Sequence, residues 1–462
     1  MIVPEWIQDA VFYQIFPDRF ANGDVRNDPA NVHAWGEKPD QWHYQGGDLK
    51  GIMQRFDYLL DLGINAIYLN PIFHSTANHR YHTIDYKRID PFLGDLEDFK
   101  ALLDLAHNNN VRIILDGVFN HCGRGFFAFD DLLENGENSA YRDWFHIKKF
   151  PLNAYGEGKA QNYIGWWGIK DLPKFNTSNP EVREYLFGTI RYWTELGIDG
   201  WRLDVPNEID DDEFWAEFRQ VVRRANPEAY IVGEIWDINP RWVNGSHFDG
   251  LMNYALRDAI LDVLRGRLEF TAFTDVQPEI EAAYEPIHYT VQYNLLSSHD
   301  TRRSLSILDG DAGKHMLAYA ALFAFPGAPA IYYGDEIGLL GNREPESRGA
   351  FPWDESEWNQ EIRNWIKKLI ALRHESVALR RGEFSVKFQD SERKLFAFSR
   401  IHEEEEITVI CNFSEQDHNL DLINEVGLDS AKKGFRDLLN GKDVITAEVH
   451  MQPLQTRFLK AI

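Results

Sequence analysis

Short apolar runs alternate with longer amphipathic stretches through most of the chain, in the order strand, crossover helix, parallel strand. Eight runs read as strands: VFYQIF from Val11, INAIYL from Ile64, VRIILDGV from Val111, IDGWRLDV from Ile198, YIVGEI from Tyr230, FDGLMNY from Phe248, TVQYNLL from Thr290 and PAIYYG from Pro329. The pattern predicts helices around Leu49 to Leu62, Leu96 to Asn108, Pro180 to Leu196, Asp211 to Arg224, Ala255 to Leu264 and His315 to Phe325. The fold class is α/β. Eight parallel strands with helices between them close as a (β/α)8 TIM barrel, which removes both sheet edges; an open doubly wound sheet is the lesser alternative.

Spacing enlarges this plan. Asp204 and Glu234 are about one strand-helix-strand unit apart and Glu234 and Asp300 about two, whereas Asp116 and Asp204 are separated by far more than one. An insertion is therefore expected after the third strand, from about Cys122 to Phe175. It is loop-rich and aromatic, as in Asn162-Tyr163-Ile164-Gly165-Trp166-Trp167, and ordered loops of that length are usually functional. After a helix from Gln360 to Arg373, the runs KLFAFSRI, EITVICNF and QTRFLKAI alternate as short strands of a C-terminal antiparallel β-sandwich. The expected domains are residues 1–121 with 176–375 as barrel, 122–175 as inserted domain and 376–462 as sandwich. Glu403 to Glu406 read as a solvated hairpin turn rather than a metal site.

Charge and composition exclude several function classes. With 73 acidic and 48 basic residues the net charge is -25 at neutral pH, a field that repels nucleic acid and anionic membrane surfaces. Two cysteines, Cys122 and Cys411, cannot make a disulfide framework, and 44% hydrophobic with 26% charged residues is ordinary globular composition. The start MIVPEWIQDAVFYQIF lacks a basic n-region and a small-residue cleavage site, and no run approaches ~20 apolar residues. A cytoplasmic protein is the expectation. The 14 Trp, 19 Tyr and 30 Phe supply flat apolar faces that suit stacking on sugars, since the charge disfavours bases.

In a parallel barrel the site is built at the C-terminal strand ends. Five ends carry polar groups: Asp116 with Asn120 and His121, Arg202 with Asp204, Glu234, His299 with Asp300, and Asp335 with Glu336. Any one of these reads as a cap or turn, and Asp335 and Glu336 are expected to be structural; the joint placement of the others points to chemistry. Convergent carboxylates with one arginine and two histidines suit a metal site or hydrolysis, and the close ligand spacing of HExxH is absent. Glycoside cleavage needs one protonated carboxyl to assist the leaving oxygen and one ionised carboxylate to attack. Arg202, two residues before Asp204, points to the same side of its strand and is expected to keep Asp204 ionised. Glu234, between Gly233 and Ile235-Trp236, is expected to be desolvated enough to stay protonated near neutrality.

These motifs resemble a known family. DGVFNH at Asp116, GWRLDVPNE at Gly200, GEIW at Gly233 and LLSSHDT at Leu295 are similar to the four signature regions of the α-amylase superfamily of glycoside hydrolases. GINAIYLNPIF at Gly63 and GAPAIYYGDEIG at Gly327 extend the similarity over residues from about 11 to 375. LPKFN at Leu172 resembles the MPKLN element of the subgroup containing neopullulanase, cyclomaltodextrinase and maltogenic amylase. The resemblance implies a retaining hydrolase of α-1,4-glucosidic bonds in cyclomaltodextrins and short maltooligosaccharides, with pullulan cleavage and some transglycosylation. Its expected partners are neutral α-glucan oligosaccharides or cyclodextrins. It implies Asp204 as nucleophile, Glu234 as general acid and then base, and Asp300 as the carboxylate binding hydroxyls of the distorted ring. Tyr81, from HRYHTIDY, would stack beneath that ring and His121 and His299 would hold its hydroxyls, with Arg202 and Trp236 counted among the substrate-binding residues. Asn207-Glu208 stands where many polysaccharide-cleaving amylases have Lys-His, which favours short or cyclic substrates. The chain departs from the subgroup at His82, where relatives carry Asp, and at Pro206, where alanine is usual. Subgroup members generally begin with a β-rich domain of ~100 residues, whereas the first barrel strand is read here from Val11, so neither dimerisation nor substrate size is carried over.

An ion site is a further expectation. Asn22, Asp24, Asn27 and Asp28 place four oxygen-bearing side chains within seven residues, with Gly46 and Asp48 from the next loop. Hard oxygen ligands at this density suit structural Ca2+ better than zinc, against the alternative of a polar turn. The subgroup resemblance includes a calcium loop here; the superfamily's other calcium site, at Asn120, is not expected. His74, His79 and His82 read as loop or hydrogen-bonding residues rather than zinc ligands. Cys122 reads as a structural thiol, and Tyr163, Trp166 and Trp167 read equally as sugar platforms or core. The alternatives in function are a general α-amylase, an α-glucan transferase or isomerase on the same site, and, in another class, a non-catalytic carbohydrate-binding scaffold.

Overall fold

The computed structural model describes residues 3–403, 405–439, 441 and 444–462. The barrel strands are β1 (Phe12–Ile15), β2 (Ala66–Leu69), β3 (Arg112–Gly117), β4 (Gly200–Leu203), β5 (Tyr230–Gly233), β6 (Gly250–Leu251), β7 (Tyr293–Asn294) and β8 (Ala328–Tyr332). They pair in parallel in the order β6-β5-β4-β3-β2-β1-β8-β7, and a parallel bridge between Met252 and Tyr293 joins the two ends. The sheet is thus a closed TIM barrel, not an open doubly wound sheet.

Alternation along each strand sorts the residues. Phe12, Ala66, Ile114, Tyr230, Val232 and Tyr293 form a buried cluster within the barrel, while Tyr13, Ile67, Ile113, Leu115 and Trp201 belong to the larger core shared with the helices. The same parity that turns Phe12 and Ile114 inward turns Gln14, Asp116 and Arg202 inward one step nearer the C-terminal mouth. At Gly250 an added Cβ would lie 2.5 Å from the Val291 carbonyl oxygen and 2.7 Å from the Tyr230 hydroxyl, so only glycine lets β6 approach its neighbours.

The expected helices recur with small shifts, and two departures have a physical reason. The stretch expected as one helix is two, Leu49–Gln54 and Phe56–Leu62, hinged at Arg55, whose guanidinium stacks 4.3 Å over Trp353. A helix at Thr271–Ala283 contains Pro278, which reads in sequence as a breaker. A hairpin of Phe73–Ser75 and Thr83–Ile89 after β2 was not anticipated either.

Between β3 and β4 the chain forms a helix at Phe127–Asn135 and returns through bridges that pair His121 with Lys174, Phe145 with Phe175 and Ile147 with Tyr163. Beyond the helix Gln360–Glu375, a six-stranded antiparallel sheet and a two-stranded antiparallel sheet of His418–Asp421 with Glu448–Met451 enclose Leu395, Ala397, Ile410, Leu420 and Met451. The run Glu403 to Glu406 does lie at a hairpin, where His402 pairs with Glu405 across the two strands, and the expectation of a solvated turn is corrected only for Glu405. Glu404 lies outside the described residues, and Glu405 begins a strand, where its carboxylate accepts from Ser376 Oγ and the Ala378 N–H and pairs with Lys460 at 2.8 Å. It caps the short helix Val377–Arg381.

Candidate active site

Arg202, on β4, is the hub of the barrel mouth. Its buried guanidinium donates through Nη1 to Asp116 at 3.0 Å and Asp204 at 3.0 Å, and its Nη2 lies 3.0 Å from Glu234 and 4.0 Å from Asp300. Asp116, at the end of β3, also accepts from the Tyr68 hydroxyl at 2.5 Å and the Tyr81 hydroxyl at 2.6 Å. Four carboxyls therefore face one fixed cation, and repulsion among them favours retention of a proton. Burial pushes Glu234 up to about 7. Burial also pushes the Asp204 carboxyl well above the ordinary range, opposed by Arg202 and reinforced by Glu234, Asp116 and Asp300. The expectation that Arg202 alone settles the ionisation of Asp204 is corrected accordingly: the two carboxyls titrate as a unit. The hydrogen-bond geometry favours Glu234 over Asp204 as the holder of the retained proton. Arg202 Nη1 makes an aligned hydrogen bond to Asp204, whereas Nη2, though close to Glu234, is left without an aligned acceptor among the described residues.

Glu234 is held from both sides, by the Val205 N–H at 3.0 Å and by the Trp236 indole N–H at 3.3 Å. Val205 does this from a left-handed conformation, φ 36°, costly for a β-branched residue and sustained here beside the reacting groups. His299 accepts from the Gln14 amide at Nδ1, 3.0 Å away, which assigns its proton to Nε2, 2.6 Å from the Tyr81 hydroxyl and 3.1 Å from Asp300. The Tyr81 and His299 rings lie parallel, 5.3 Å apart. Burial lowers His299 well below its ordinary value and takes His121 down to about 3, so both imidazoles are neutral at pH 7. His121 stacks on Trp166, and its Nε2 has no partner among the described residues, leaving a polar atom at the cleft wall.

These groups open into a cleft of about 710 Å³. Asp204, Glu234, Asp300, Tyr81, His121 and Trp236 line it, and Trp236 stacks on Tyr254 with centroids 3.8 Å apart. Asn207 and Glu208 do not line it: they lie in a turn after β4, where Glu208 pairs with Lys174 at 3.7 Å. Of Tyr163, Trp166 and Trp167 in the insertion, Tyr163 is fully buried, whereas Trp166 and Trp167 line the cleft. Sequence reasoning did not mark Glu344 and Arg348, which also line it; Arg348 donates to the His299 carbonyl at 3.0 Å and lies 3.4 Å from Asp300. Nothing in their local spacing announces this role, because the fold brings them from the loop beyond β8. Asp335 and Glu336 sit behind the mouth, Asp335 held by Arg303 at 2.9 Å and Glu336 by the hydroxyls of Tyr13 and Tyr58 at 2.7 and 2.6 Å.

The oxygen-rich loop passes a test of fit for a hard cation. Buried amide oxygens of Asn22 and Asn27 have no donor among the described residues, burial raises the Asp28 carboxyl, and a Cβ at Gly46 would fall 2.5 Å from Asp28 Oδ1. The Asp24 and Asp48 side chains do not belong to the set: Arg26 at 2.6 Å and Lys50 at 3.0 Å already hold the Asp24 carboxylate, and both Asp48 oxygens already accept, from the Gly23, Asp24 and Gly51 N–H groups and the Asn27 amide. His33, Asp40 and His43 also converge. Their two imidazoles stack at 3.8 Å and 19°, however, and one ion cannot lie in both ring planes.

Comparison with known proteins places this geometry in context. Residues 14–381 match the model of the alpha amylase catalytic domain, and 386–457 that of the alpha amylase C-terminal all-beta domain. The chain is 42% identical over 461 residues to a cyclomaltodextrinase of Thermoanaerobacter pseudethanolicus, covering 99% of this chain and 78% of that protein. It is 40% identical to an intracellular maltogenic amylase of Bacillus subtilis, over 93% of this chain and 72% of the relative. A solved hydrolase of cyclic α-maltosyl-(1→6)-maltose from Arthrobacter globiformis, in complex with that sugar, superposes with a TM-score of 0.92 at 40% identity, covering both chains completely.

Proposed function

The chain belongs to the α-amylase family of glycoside hydrolases, and from that premise we propose that it cleaves α-1,4-glucosidic bonds in cyclomaltodextrins and short maltooligosaccharides with retention of configuration. Pullulan cleavage and some transfer to sugar acceptors belong to the same reading. The observation that carries it is the pair Asp204 and Glu234 on one guanidinium, 3.0 Å from each, with Glu234 pushed up to about 7.

In this mechanism Glu234 donates its proton to the glycosidic oxygen while Asp204 attacks the anomeric carbon; the C–O bond to the leaving sugar breaks and a glycosyl ester on Asp204 forms. Glu234, now ionised, takes a proton from water as that water attacks the same carbon and releases Asp204. Asp300 and the neutral imidazoles of His299 and His121 hold ring hydroxyls, and the Tyr81 ring supports the sugar face. Arg202 offsets the negative charge of Asp204 whenever it is free.

Asn22, Asn27, Asp28 and the Gly46 segment would hold a calcium ion, which would supply cross-linking of two loops and no step of the reaction. A cytoplasmic location is supported by the similarity to the intracellular maltogenic amylase of Bacillus subtilis, and no described helix is long and apolar enough to cross a membrane. Net charge supports a neutral sugar rather than a nucleic acid as partner. Parallel rate measurements on β-cyclodextrin and soluble starch test the substrate reading: the cyclic sugar is consumed faster, and the reverse order overturns it.

A further inference from the structure

The segment between β1 and Gly46 presents an indole that the cleft does not use. Trp42 is 77% exposed, yet its main chain is tied on both sides: its N–H donates to Asp40 Oδ1 at 2.7 Å and its carbonyl accepts from the Asn31 amide at 2.8 Å. Beneath it the segment closes on itself through the His33 N–H to the Tyr44 carbonyl at 2.8 Å and the stacked His33 and His43 rings. The indole is thus carried on a backbone already pinned before anything binds, which lowers the entropic cost of binding.

Its position links it to the cleft. The Asn78 amide donates to the His43 carbonyl at 2.8 Å and lies 3.4 Å from those of Asp40 and Gln41, and the next residue, His79, lines the cleft. On the other side Lys38 pairs at 3.0 Å with Glu346, which stands between the cleft-lining Glu344 and Arg348. The segment is therefore tied to the chain neighbours of His79, Glu344 and Arg348, which line the cleft, and Trp42 stands exposed on it.

We infer that Trp42 is a sugar-stacking platform outside the cleft, receiving a glucosyl ring of an α-1,4-glucan that extends past the groups that cut it. The inference rests on the glucan-hydrolase reading. The C–H face of a glucosyl ring matches an indole face, and a neutral ligand suits a site beside Asp40.

The test compares wild type, Trp42→Ala and Trp42→Phe on maltotriose and maltoheptaose, with calorimetric binding of both sugars to Glu234→Gln with and without Trp42→Ala. The ratio of kcat/KM for maltoheptaose to that for maltotriose falls about three- to tenfold in Trp42→Ala, and Trp42→Phe recovers most of it. Maltoheptaose binding weakens by a similar factor relative to maltotriose. An unchanged ratio in both measurements, or equal losses on both sugars, overturns the platform. A wild-type protein that turns over neither sugar overturns the hydrolase reading instead, and the binding comparison then decides on Trp42 alone.

Discussion

In the proposed mechanism Glu234 and Asp204 take different roles because a single guanidinium divides its hydrogen-bonding capacity unequally between them. As the proposed general acid, Glu234 acts in its protonated form, so kcat/KM is expected to fall as pH rises through about 7. Glu234→Gln lowers turnover of natural glucans by ~10²–10⁴-fold and abolishes that alkaline limb; a pH profile of the variant with the limb intact contradicts the assignment. Arg202→Met leaves the carboxyls facing one another without their cation and destabilises the fold by ~3–5 kcal/mol at neutral pH. Asp116, Asp204 and Glu234 hold protons more tightly folded than unfolded, so the folded state gains protons and the loss shrinks as pH falls toward 5; urea denaturation at the two pH values measures it. The positions of Arg202, Asp204 and Glu234 were legible from strand parity and local apolarity. Val205 and Arg348 were not, since a left-handed valine has no sequence signature and Arg348 arrives from the far side of the barrel.

At the scale of elements, local pattern was a good guide where hydrophobic period and length agreed. The helix Pro180–Leu196 begins after the capping Asn179 and ends at Gly197, φ 115°, as its sequence implies. It failed where tertiary packing overrode it: Pro278 within a helix, the hinge at Arg55, and a hairpin whose short strands carry polar residues. The oxygen-rich loop is the element with the most direct test. Calcium at about a hundred times its dissociation constant stabilises by ~2.7 kcal/mol, so EGTA lowers Tm and calcium restores it, whereas Asp28→Ala removes the response. Gly46→Ala lowers Tm even with EGTA present, because the methyl group meets Asp28 and Asn22. A Tm indifferent to EGTA and calcium excludes the ion.

For the whole molecule, barrel closure is what makes the chemistry possible, because it brings residues from β3, β4, β5 and the loop after β7 within reach of one cation. Closure was foreseeable from eight strands separated by helices; the course of the loops that wall the cleft was not. Those loops decide which glucan fits, while the strands decide what happens to it. The double displacement can be tested at its intermediate. A fluorinated α-maltosyl fluoride that forms the glycosyl ester quickly and hydrolyses it slowly, followed by peptide mass mapping, reads where the sugar is attached. The expected result is one maltosyl unit per chain, on the peptide containing Asp204 and at that carboxylate. A label on Glu234 or Asp300, or turnover of the reagent to the inverted anomer with no label at all, contradicts the account.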